Sequence, residues 1–254
     1  MIYFIGAGPG AVDLITVRGA KLLAQADVVI YAGSLVNKEL LADCKADCAI
    51  YNSAGMTLEE VIATMRSADG TEKTIVRLHT GDPSIYGAIK EQMDLLSESG
   101  HDFVVVPGVS SFCGAAAALQ AEYTLPDVSQ TVILTRMEGR TPVPEKEKIR
   151  LLASHGATMV LFLTSSLIAE LVEELLVGGY TKETPAAIVY KATWPEQKVM
   201  RTTVGSLAAC AKENNITKTA LIIIGDVLAG DYALSKLYDK HFTHEYRTAV
   251  DEKA

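Results

Sequence analysis

The chain has 254 residues, of which 49% are hydrophobic and 21% are charged, as expected of a globular protein with a substantial core. Its net charge of −8 and its lack of basic blocks argue against a nucleic-acid partner, because such proteins present a basic patch. No apolar run approaches the roughly 20 residues of a membrane span. The start, Met1–Ile5, leads straight into a glycine turn and lacks the features of a signal peptide. The four cysteines follow no disulfide or metal-site spacing, so we expect a cytoplasmic protein with reduced thiols and without a metal.

The first half alternates short apolar runs with helical patterns. Thr16 is expected to cap the first helix, and Thr57 with Glu60 has the spacing of a capping box. Strands are expected at 3–6, 28–31, 49–51, 74–78 and 103–106. Repeated strand–helix units of this kind predict a parallel sheet covered on both faces.

The second half repeats this alternation. Strands are expected at 131–135, 158–163, 185–190, 198–204 and 219–224. The fold class predicted is therefore α/β, with two αβα domains, mainly parallel sheets and a ligand cleft between them. The predicted limits are 1–122 for the N-terminal domain, 123–236 for the C-terminal domain and 237–254 for a charged surface tail.

Three glycine turns follow predicted strands, where open α/β folds bind their ligands. We call them the first turn (residues 6–11), the second turn (80–87) and the third turn (107–111). In the second turn, Asp82 and Pro83 have the sequence of a helix start, which predicts a helix from there through Leu96. Asp82 could be only this cap or could also contact a ligand, and the sequence leaves both open.

The first turn also satisfies the dinucleotide fingerprint as Gly6-x-Gly8-x-x-Ala11, so a nicotinamide oxidoreductase is an alternative. Pro9 and the segment 13–16 delay the helix that should face a pyrophosphate. The second strand is followed by Ala-Gly-Ser34 rather than by an acidic residue for the ribose. Turns with few charges instead suit a ligand held by main-chain groups and apolar walls, since glycine allows close approach.

Four separated motifs, taken together, identify a family. They are Gly6-Ala-Gly-Pro-Gly10 with Asp13-Leu-Ile-Thr16, Gly81-Asp-Pro-x-x-Tyr-Gly87, Pro107-Gly-Val-Ser-Ser111 and Lys191-Ala-Thr193. They resemble those of the tetrapyrrole (corrin/porphyrin) methylases over about residues 1 to 230. The resemblance implies S-adenosyl-L-methionine as methyl donor, S-adenosyl-L-homocysteine as product, a corrin-ring substrate in cobalamin synthesis and a homodimer. Segments 131–145 and 190–195 look like those of members that methylate carbon 11 of the ring.

The resemblance also implies site residues. The donor site would comprise Pro9, Thr80, Gly81, Asp82, Ile85, Ser110, Ser111, Leu163, Ala192 and Thr193. Because the acceptor carries many carboxylates, the expected substrate-binding residues are Arg136, Arg140 and Lys191, together with Gly8. The candidates for a catalytic role are Asp82, Tyr86 and Asp13.

The chain departs from the uroporphyrinogen members of the family at two places. It has Ala88-Ile-Lys-Glu91 instead of Arg-Gly-Gly-Glu after Gly87, and Leu125-Pro126 instead of a His-Arg pair. These departures favour a later corrin intermediate as substrate. Two further alternatives stay open: another precorrin methyltransferase of the family, and a tetrapyrrole- or nucleoside-binding module without catalysis.

Overall fold

A computed structural model describes residues 1–68, 72–230 and 232–249. The described residues form two compact units. One comprises Met1–Leu119 with Tyr190–Lys198, and the other comprises Gln120–Val189 with the chain from Val199 onward. The first unit therefore includes a nine-residue loop from late in the chain, whereas the domains predicted from the sequence are continuous segments; their limits stay predictions.

Five parallel strands form the sheet of the first unit, in the order β3-β2-β4-β1-β5. They are β1 (Ile2–Gly6), β2 (Val28–Tyr31), β3 (Ala49–Asn52), β4 (Ile75–His79) and β5 (Phe103–Val106). The helices are α1 (Val17–Ala24), α2 (Leu58–Ala68), α3 (Lys90–Glu98) and α4 (Ser111–Leu119). The central strands are almost wholly buried, as is typical of a parallel sheet covered on both faces.

Two helix starts predicted from the sequence are confirmed. The hydroxyl of Thr16 accepts a hydrogen bond from the backbone N–H of Gly19 at 3.2 Å. Thr57 and Glu60 form the capping box, because each side chain accepts from the other residue's backbone N–H, at 3.3 and 2.8 Å.

The predicted start of α3 is wrong. Residues 83–86 form only a turn, and the helix begins at Lys90 instead of Pro83. Tyr86 and Ala88 have φ angles of 55° and 49°, in the left-handed region, and a right-handed helix cannot pass through them. Asp82 consequently does not cap α3. The segment after β2 forms two short 3₁₀ helices, Gly33–Leu35 and Lys38–Asp43.

The second sheet has the strand order β6-β7-β10-β8-β9. Its strands are β6 (Val132–Arg136), β7 (Thr158–Phe162), β8 (Pro185–Tyr190), β9 (Lys198–Thr203) and β10 (Ala220–Ile224). The pair β6–β7 is parallel and the pair β7–β10 is antiparallel. The helices are α5 (Ile149–Ala153), α6 (Ile168–Val177) and α7 (Leu207–Glu213). The α/β class with two separate sheets is confirmed.

The predicted tail begins within a 3₁₀ helix, Lys236–Tyr238, and the guanidinium of Arg247 donates to the carbonyls of Leu237 and Asp239. Its surface is apolar as well as charged, since Tyr238 and Tyr246 are more than 80% exposed. Residues 250–254 of this predicted tail lie outside the described residues. Among the helices that the structure describes, none combines the length and the apolar character needed to cross a membrane.

Candidate functional site

The three glycine turns meet at one edge of the first sheet. Strands β4, β1 and β5 are neighbours and parallel, so their carboxyl ends lie side by side. Gly8 and Gly81 pair across the first and second turns: the N–H of Gly81 donates to the carbonyl of Gly8 at 2.8 Å, and the reverse bond is 3.3 Å. The edge predicted from the sequence therefore exists as one connected cluster of main-chain groups.

Glycine is required where the turns touch. A Cβ at Gly6 would lie 2.5 Å from the Cα of Gly108, and a Cβ at Gly108 would lie 2.2 Å from the carbonyl oxygen of Gly81. Gly81 itself has a φ of 60°, a conformation that side chains disfavour. The main chains of all three turns are thus in direct contact, and no side chain separates them.

Asp82 joins the second turn to the third. One carboxylate oxygen accepts from the backbone N–H of Gly108 at 2.8 Å, and the other accepts from the backbone N–H of Ser84 at 2.8 Å and from the Ser84 hydroxyl. Partial burial raises the pKa of the Asp82 carboxyl, but these hydrogen bonds outweigh it, so the net pKa lies below the ordinary value. A carboxylate so held is ionised at neutral pH and is a poor proton acceptor.

Four more residues expected at the donor site lie on the same turns. Ser110 is buried, and its Cα is 3.5 Å from the Cβ position of Gly81; the backbone nitrogen of Ser111, at the start of α4, is 3.4 Å from it. Thr80 and Ile85 flank Gly81 and Asp82 and are half-buried.

Two of the candidate catalytic residues are exposed. Tyr86 is 47% exposed and has a left-handed backbone conformation. Asp13 lies on the short 3₁₀ helix Val12–Leu14 and is exposed. Neither geometry identifies a general base.

The loop 190–198 packs on the first turn. The Thr193 hydroxyl accepts from the backbone N–H of Ala11 at 3.0 Å, and its methyl group lies 3.2 Å from the Cβ position of Gly114 on α4. The ring of Pro9 lies against the same position, with its Cβ at 2.9 Å. Ala192, which precedes Thr193 in the sequence, is buried. Three residues expected at the donor site, Pro9, Ala192 and Thr193, thus belong to the same compact unit as the glycine turns.

The basic candidates differ in their contacts. Lys191 Nζ lies 3.4 Å from the Glu196 carboxylate and stands over the rings of Tyr190 and Trp194, at 5.8 and 5.3 Å from their centroids. The guanidinium of Arg136 donates to the carbonyls of Met137, Thr141 and Pro142 and so organises the loop after β6. Arg140 lies on that loop and is exposed.

Leu163 belongs to the second unit. It follows β7 directly, is 65% exposed and has a φ of 52°. Arg136 pairs with Phe162 in the parallel sheet, so the loop after β6 and Leu163 share the carboxyl edge of that sheet. The hydroxyl of Thr164 ties them together by accepting from the backbone N–H of Met137 at 3.1 Å.

Several residues that build the site were missed in the sequence. Gly108 belongs to the third turn, which the sequence indicated, but it was not expected as a site residue in its own right. Trp194 belongs to segment 190–195, yet neither its contact nor that of Asn37 had a local signal, because their side chains donate to the carbonyls of Pro9 and Gly10, which are far away along the chain.

The chain is similar to known proteins over most of its length. The family model for tetrapyrrole (corrin/porphyrin) methylases matches residues 1–208. A relative from Methanocaldococcus jannaschii, named cobalt-precorrin-4 C(11)-methyltransferase, is 57% identical over 247 residues, which are 97% of this chain and 95% of that protein.

Solved structures agree with this. The X-ray structure of a cobalamin biosynthetic enzyme, cobalt precorrin-4 methyltransferase, is 53% identical, with a TM-score of 0.88 over 89% of this chain and 95% of that chain. Uroporphyrin-III C-methyl transferase from Thermus thermophilus, complexed with S-adenosyl homocysteine, is 25% identical, with a TM-score of 0.74 over 89% of this chain and 92% of that one. The resemblance seen in the motifs is confirmed, and the chain belongs to the tetrapyrrole (corrin/porphyrin) methylases.

Proposed function

We propose that this protein is an S-adenosyl-L-methionine-dependent C-methyltransferase that transfers a methyl group to carbon 11 of (cobalt-)precorrin-4 in cobalamin (vitamin B12) biosynthesis. The observation that carries the proposal is the cluster of three glycine turns at the carboxyl edge of β4, β1 and β5. The name and the 57% identity of the archaeal relative supply the substrate and the ring position.

The turn cluster fits an adenosyl donor. Added Cβ atoms at Gly6 and Gly108 would collide with main-chain atoms of the neighbouring turns, so this edge is built of closely packed main chain, which suits a ligand held by peptide groups. The residues that would hold the donor in the first unit are Thr80, Gly81, Asp82, Ile85, Ser110 and Ser111 with Pro9, Ala192 and Thr193. When bound, S-adenosyl-L-methionine supplies an electrophilic methyl group on a sulfonium whose leaving group is a neutral thioether.

The contribution of the protein is then mainly positioning. Holding a reacting carbon in line with the methyl group is worth up to about 7–11 kcal/mol in model reactions. Asp82 serves this by fixing the second turn to the third through Gly108, and its low pKa makes it a charged anchor and not a base.

The acceptor calls for cationic groups, because precorrins carry many carboxylates. We propose Arg136, Arg140 and Lys191, together with Gly8, as its binding residues. Arg136 would act in part through its loop, since its guanidinium already donates to carbonyls of Met137, Thr141 and Pro142.

Charge reversal at Arg136 tests the acceptor site. Arg136→Glu should raise the KM for the acceptor by about tenfold or more, equivalent to loss of one charge-assisted contact, while the KM for the donor stays within about twofold. Arg150→Glu, in the same unit but paired with Glu174, is the control and should change neither constant. Unchanged acceptor kinetics in Arg136→Glu would remove this residue from the site.

The decisive test of the function is a product assay. The protein is incubated with methyl-labelled S-adenosyl-L-methionine and cobalt-precorrin-4, and the ring product is analysed by mass spectrometry and by NMR for its new methyl group. We expect one added methyl at carbon 11, and no product from uroporphyrinogen III. Methylation of uroporphyrinogen III alone, or at another ring carbon, would contradict the assignment and favour another reaction of the family. Binding of both ligands without any product would instead favour the non-catalytic alternative.

Two wider expectations also remain part of the proposal. The homodimer implied by the family is tested by size-exclusion chromatography with light scattering. The cytoplasmic location is tested by cell fractionation with an antibody against the chain.

A further inference from the structure

Trp194 lies directly on the main chain of the first turn. The chain has only this one tryptophan. Its indole N–H donates to the carbonyl of Pro9 at 3.2 Å. A Cβ built on Gly10 would lie 2.1 Å from the indole Cδ1 and 2.3 Å from Nε1, so the ring rests against the glycine with no room for a side chain between them.

The loop that carries Trp194 is held together by internal hydrogen bonds. The backbone N–H of Trp194 donates to the carbonyl of Lys191 at 3.0 Å, and the N–H of Gln197 donates to the carbonyl of Trp194, also at 3.0 Å. The Gln197 side chain in turn accepts from the backbone N–H of Thr193 at 2.7 Å. Lys191 and Thr193 both have left-handed φ angles, of 45° and 69°. A displacement of the indole would therefore carry Thr193 with it.

The indole is held from a second side. Lys191 Nζ stands 5.3 Å from the centre of the indole and 3.4 Å from the Glu196 carboxylate, so the cation is both stacked and paired. The first turn has a second side-chain donor, because the Asn37 side chain donates to the carbonyl of Gly10 at 2.9 Å. The main chain at Pro9 and Gly10 is thus fixed by two side-chain donors from distant parts of the sequence.

We propose that Trp194 is a positioning residue of the donor site: it clamps the loop 190–198 onto the first turn and thereby sets the affinity for the adenosyl ligand. The inference rests on the proposed function, in which Pro9, Ala192 and Thr193 contact the donor. Pro9 directly precedes Gly10 and accepts the indole hydrogen bond, and Ala192 and Thr193 directly precede Trp194. Trp194 acts through them and needs no contact with the acceptor.

The test compares Trp194→Ala with Trp194→Phe. Affinity for S-adenosyl-L-homocysteine is measured by calorimetry, and KM and kcat are measured for donor and acceptor. Trp194→Ala should raise the Kd for S-adenosyl-L-homocysteine and the donor KM by about tenfold or more, while the acceptor KM stays within about twofold. Trp194→Phe keeps a ring on Gly10 and loses the hydrogen bond, so its effect should be smaller, about two- to tenfold.

Gly10→Ala disrupts the same contact by changing the residue against which the indole packs. The added methyl would displace the indole, so this variant should reproduce the loss of donor affinity seen in Trp194→Ala. Because both changes break one contact, the double variant should be no weaker than the worse single variant.

Tyr180→Phe is the matched control. Tyr180 is another aromatic residue that donates to a carbonyl, that of Ala157, and it lies in the other compact unit. Loss of this hydrogen bond in Tyr180→Phe should lower the melting temperature and leave the affinity for S-adenosyl-L-homocysteine unchanged. Normal donor affinity in a folded Trp194→Ala or Gly10→Ala protein would overturn the role of Trp194 and leave the proposed function intact. Failure of the wild-type protein to bind S-adenosyl-L-homocysteine would overturn both.

Discussion

One carboxylate, that of Asp82, joins two turns that are 26 residues apart in the sequence. It accepts three hydrogen bonds, from the backbone N–H groups of Gly108 and Ser84 and from the Ser84 hydroxyl. The sequence suggested a helix cap for this residue, and the structure gives it a related local role together with a long-range one. Both oxygens accept hydrogen bonds from the protein itself, so Asp82 shapes the proposed donor site independently of any contact with the donor.

Asp82→Asn tests how far these two roles are linked. The amide keeps one acceptor oxygen and presents an NH₂ group to one of the N–H donors, which leaves that donor unpaired. We expect the free energy of unfolding to fall by about 1–3 kcal/mol. We also expect the Kd for S-adenosyl-L-homocysteine to rise, because Gly81 and Ser110 lie on the turns that Asp82 holds. Urea unfolding and calorimetry measure the two effects. Lower stability with unchanged donor affinity and turnover would show that Asp82 is structural only.

His79, at the end of β4, is a buried histidine whose Nε2 atom has no hydrogen-bond partner among the described residues. Its ring stacks on Phe4 at a centroid distance of 6.1 Å. Burial, and secondarily the charge of Arg77, lower its pKa to about 3, from an ordinary 6.5. His79 is therefore neutral at physiological pH and fills the core as an aromatic ring.

This pKa makes stability depend on pH. Below about pH 6.5 the unfolded chain protonates His79 and the native protein does not, so stability falls as the pH decreases towards 3. The slope from this one group is at most about 1.4 kcal/mol per pH unit. His79→Phe keeps the stacking on Phe4 and removes the titration. Between about pH 7 and pH 5, the wild-type protein should lose up to about 2 kcal/mol more than the variant in urea unfolding.

The chosen pH range isolates this residue. The other histidines are the same in both proteins and cancel in the comparison. Asp27 and Asp82 have lowered pKa values, so their contributions are lost only below about pH 4. Equal losses in the wild-type protein and His79→Phe would contradict the buried, neutral state of the histidine.

Helices and strands that depend on neighbouring residues could be predicted from the sequence. The capping box of Thr57 and Glu60 spans three residues, and both of its hydrogen bonds are present. The start of α3 could not be predicted from Asp82 and Pro83. The Asp82 carboxylate does accept the local hydrogen bond from the backbone N–H of Ser84, but the left-handed φ angles of Tyr86 and Ala88 prevent a helix from continuing. A local pattern identified a local contact and not the backbone conformation a few residues later.

The site shows the same division. Parallel strands bring the ends of β4, β1 and β5 to one edge, so the meeting of the three turns could be foreseen from the alternation of elements. The contact of Trp194 with Gly10 could not, because nothing in either segment indicates the other. The partners of Arg77 could not be predicted either. This buried residue donates to the carbonyl of Ile30 at 3.2 Å and to the Gln92 side chain at 3.1 Å.

Gly108→Ala tests the turn cluster as a structural element. Its added Cβ would lie 2.2 Å from the carbonyl oxygen of Gly81 and 2.7 Å from the Cα of Gly6, and neither main-chain atom can rotate away. We expect an unfolding free energy lower by about 1–3 kcal/mol or more, as in other overpacked sites, together with weaker binding of S-adenosyl-L-homocysteine.

Gly55→Ala is the matched control for this prediction. A Cβ at Gly55 has no atom within 4 Å, and the residue lies outside the left-handed region, so stability should change by no more than about 0.5 kcal/mol. If Gly108→Ala were as stable as Gly55→Ala and bound the ligand equally well, the close contact of the three turns would be refuted.

At the scale of the whole molecule, a protein that binds the donor or its product should become more stable against unfolding when the ligand is present. A ligand that binds the native state and not the unfolded chain adds RT ln(1 + [L]/Kd) to the free energy of unfolding. At a ligand concentration of about 100 times its Kd this amounts to about 2.7 kcal/mol. S-adenosyl-L-homocysteine should therefore raise the melting temperature of the wild-type protein progressively with concentration.

The same measurement separates the two adenosine-containing ligands that the first turn could accept by its sequence. The fingerprint Gly6-x-Gly8-x-x-Ala11 is formally that of a dinucleotide site, yet in the structure its main-chain groups at Gly8 and Pro9 are already hydrogen-bonded to Gly81 and Trp194. NADH should accordingly leave the melting temperature unchanged at concentrations where S-adenosyl-L-homocysteine raises it. A shift with NADH alone would contradict the methyl-donor site, because linkage requires that the ligand which stabilises the protein is the one its native state binds.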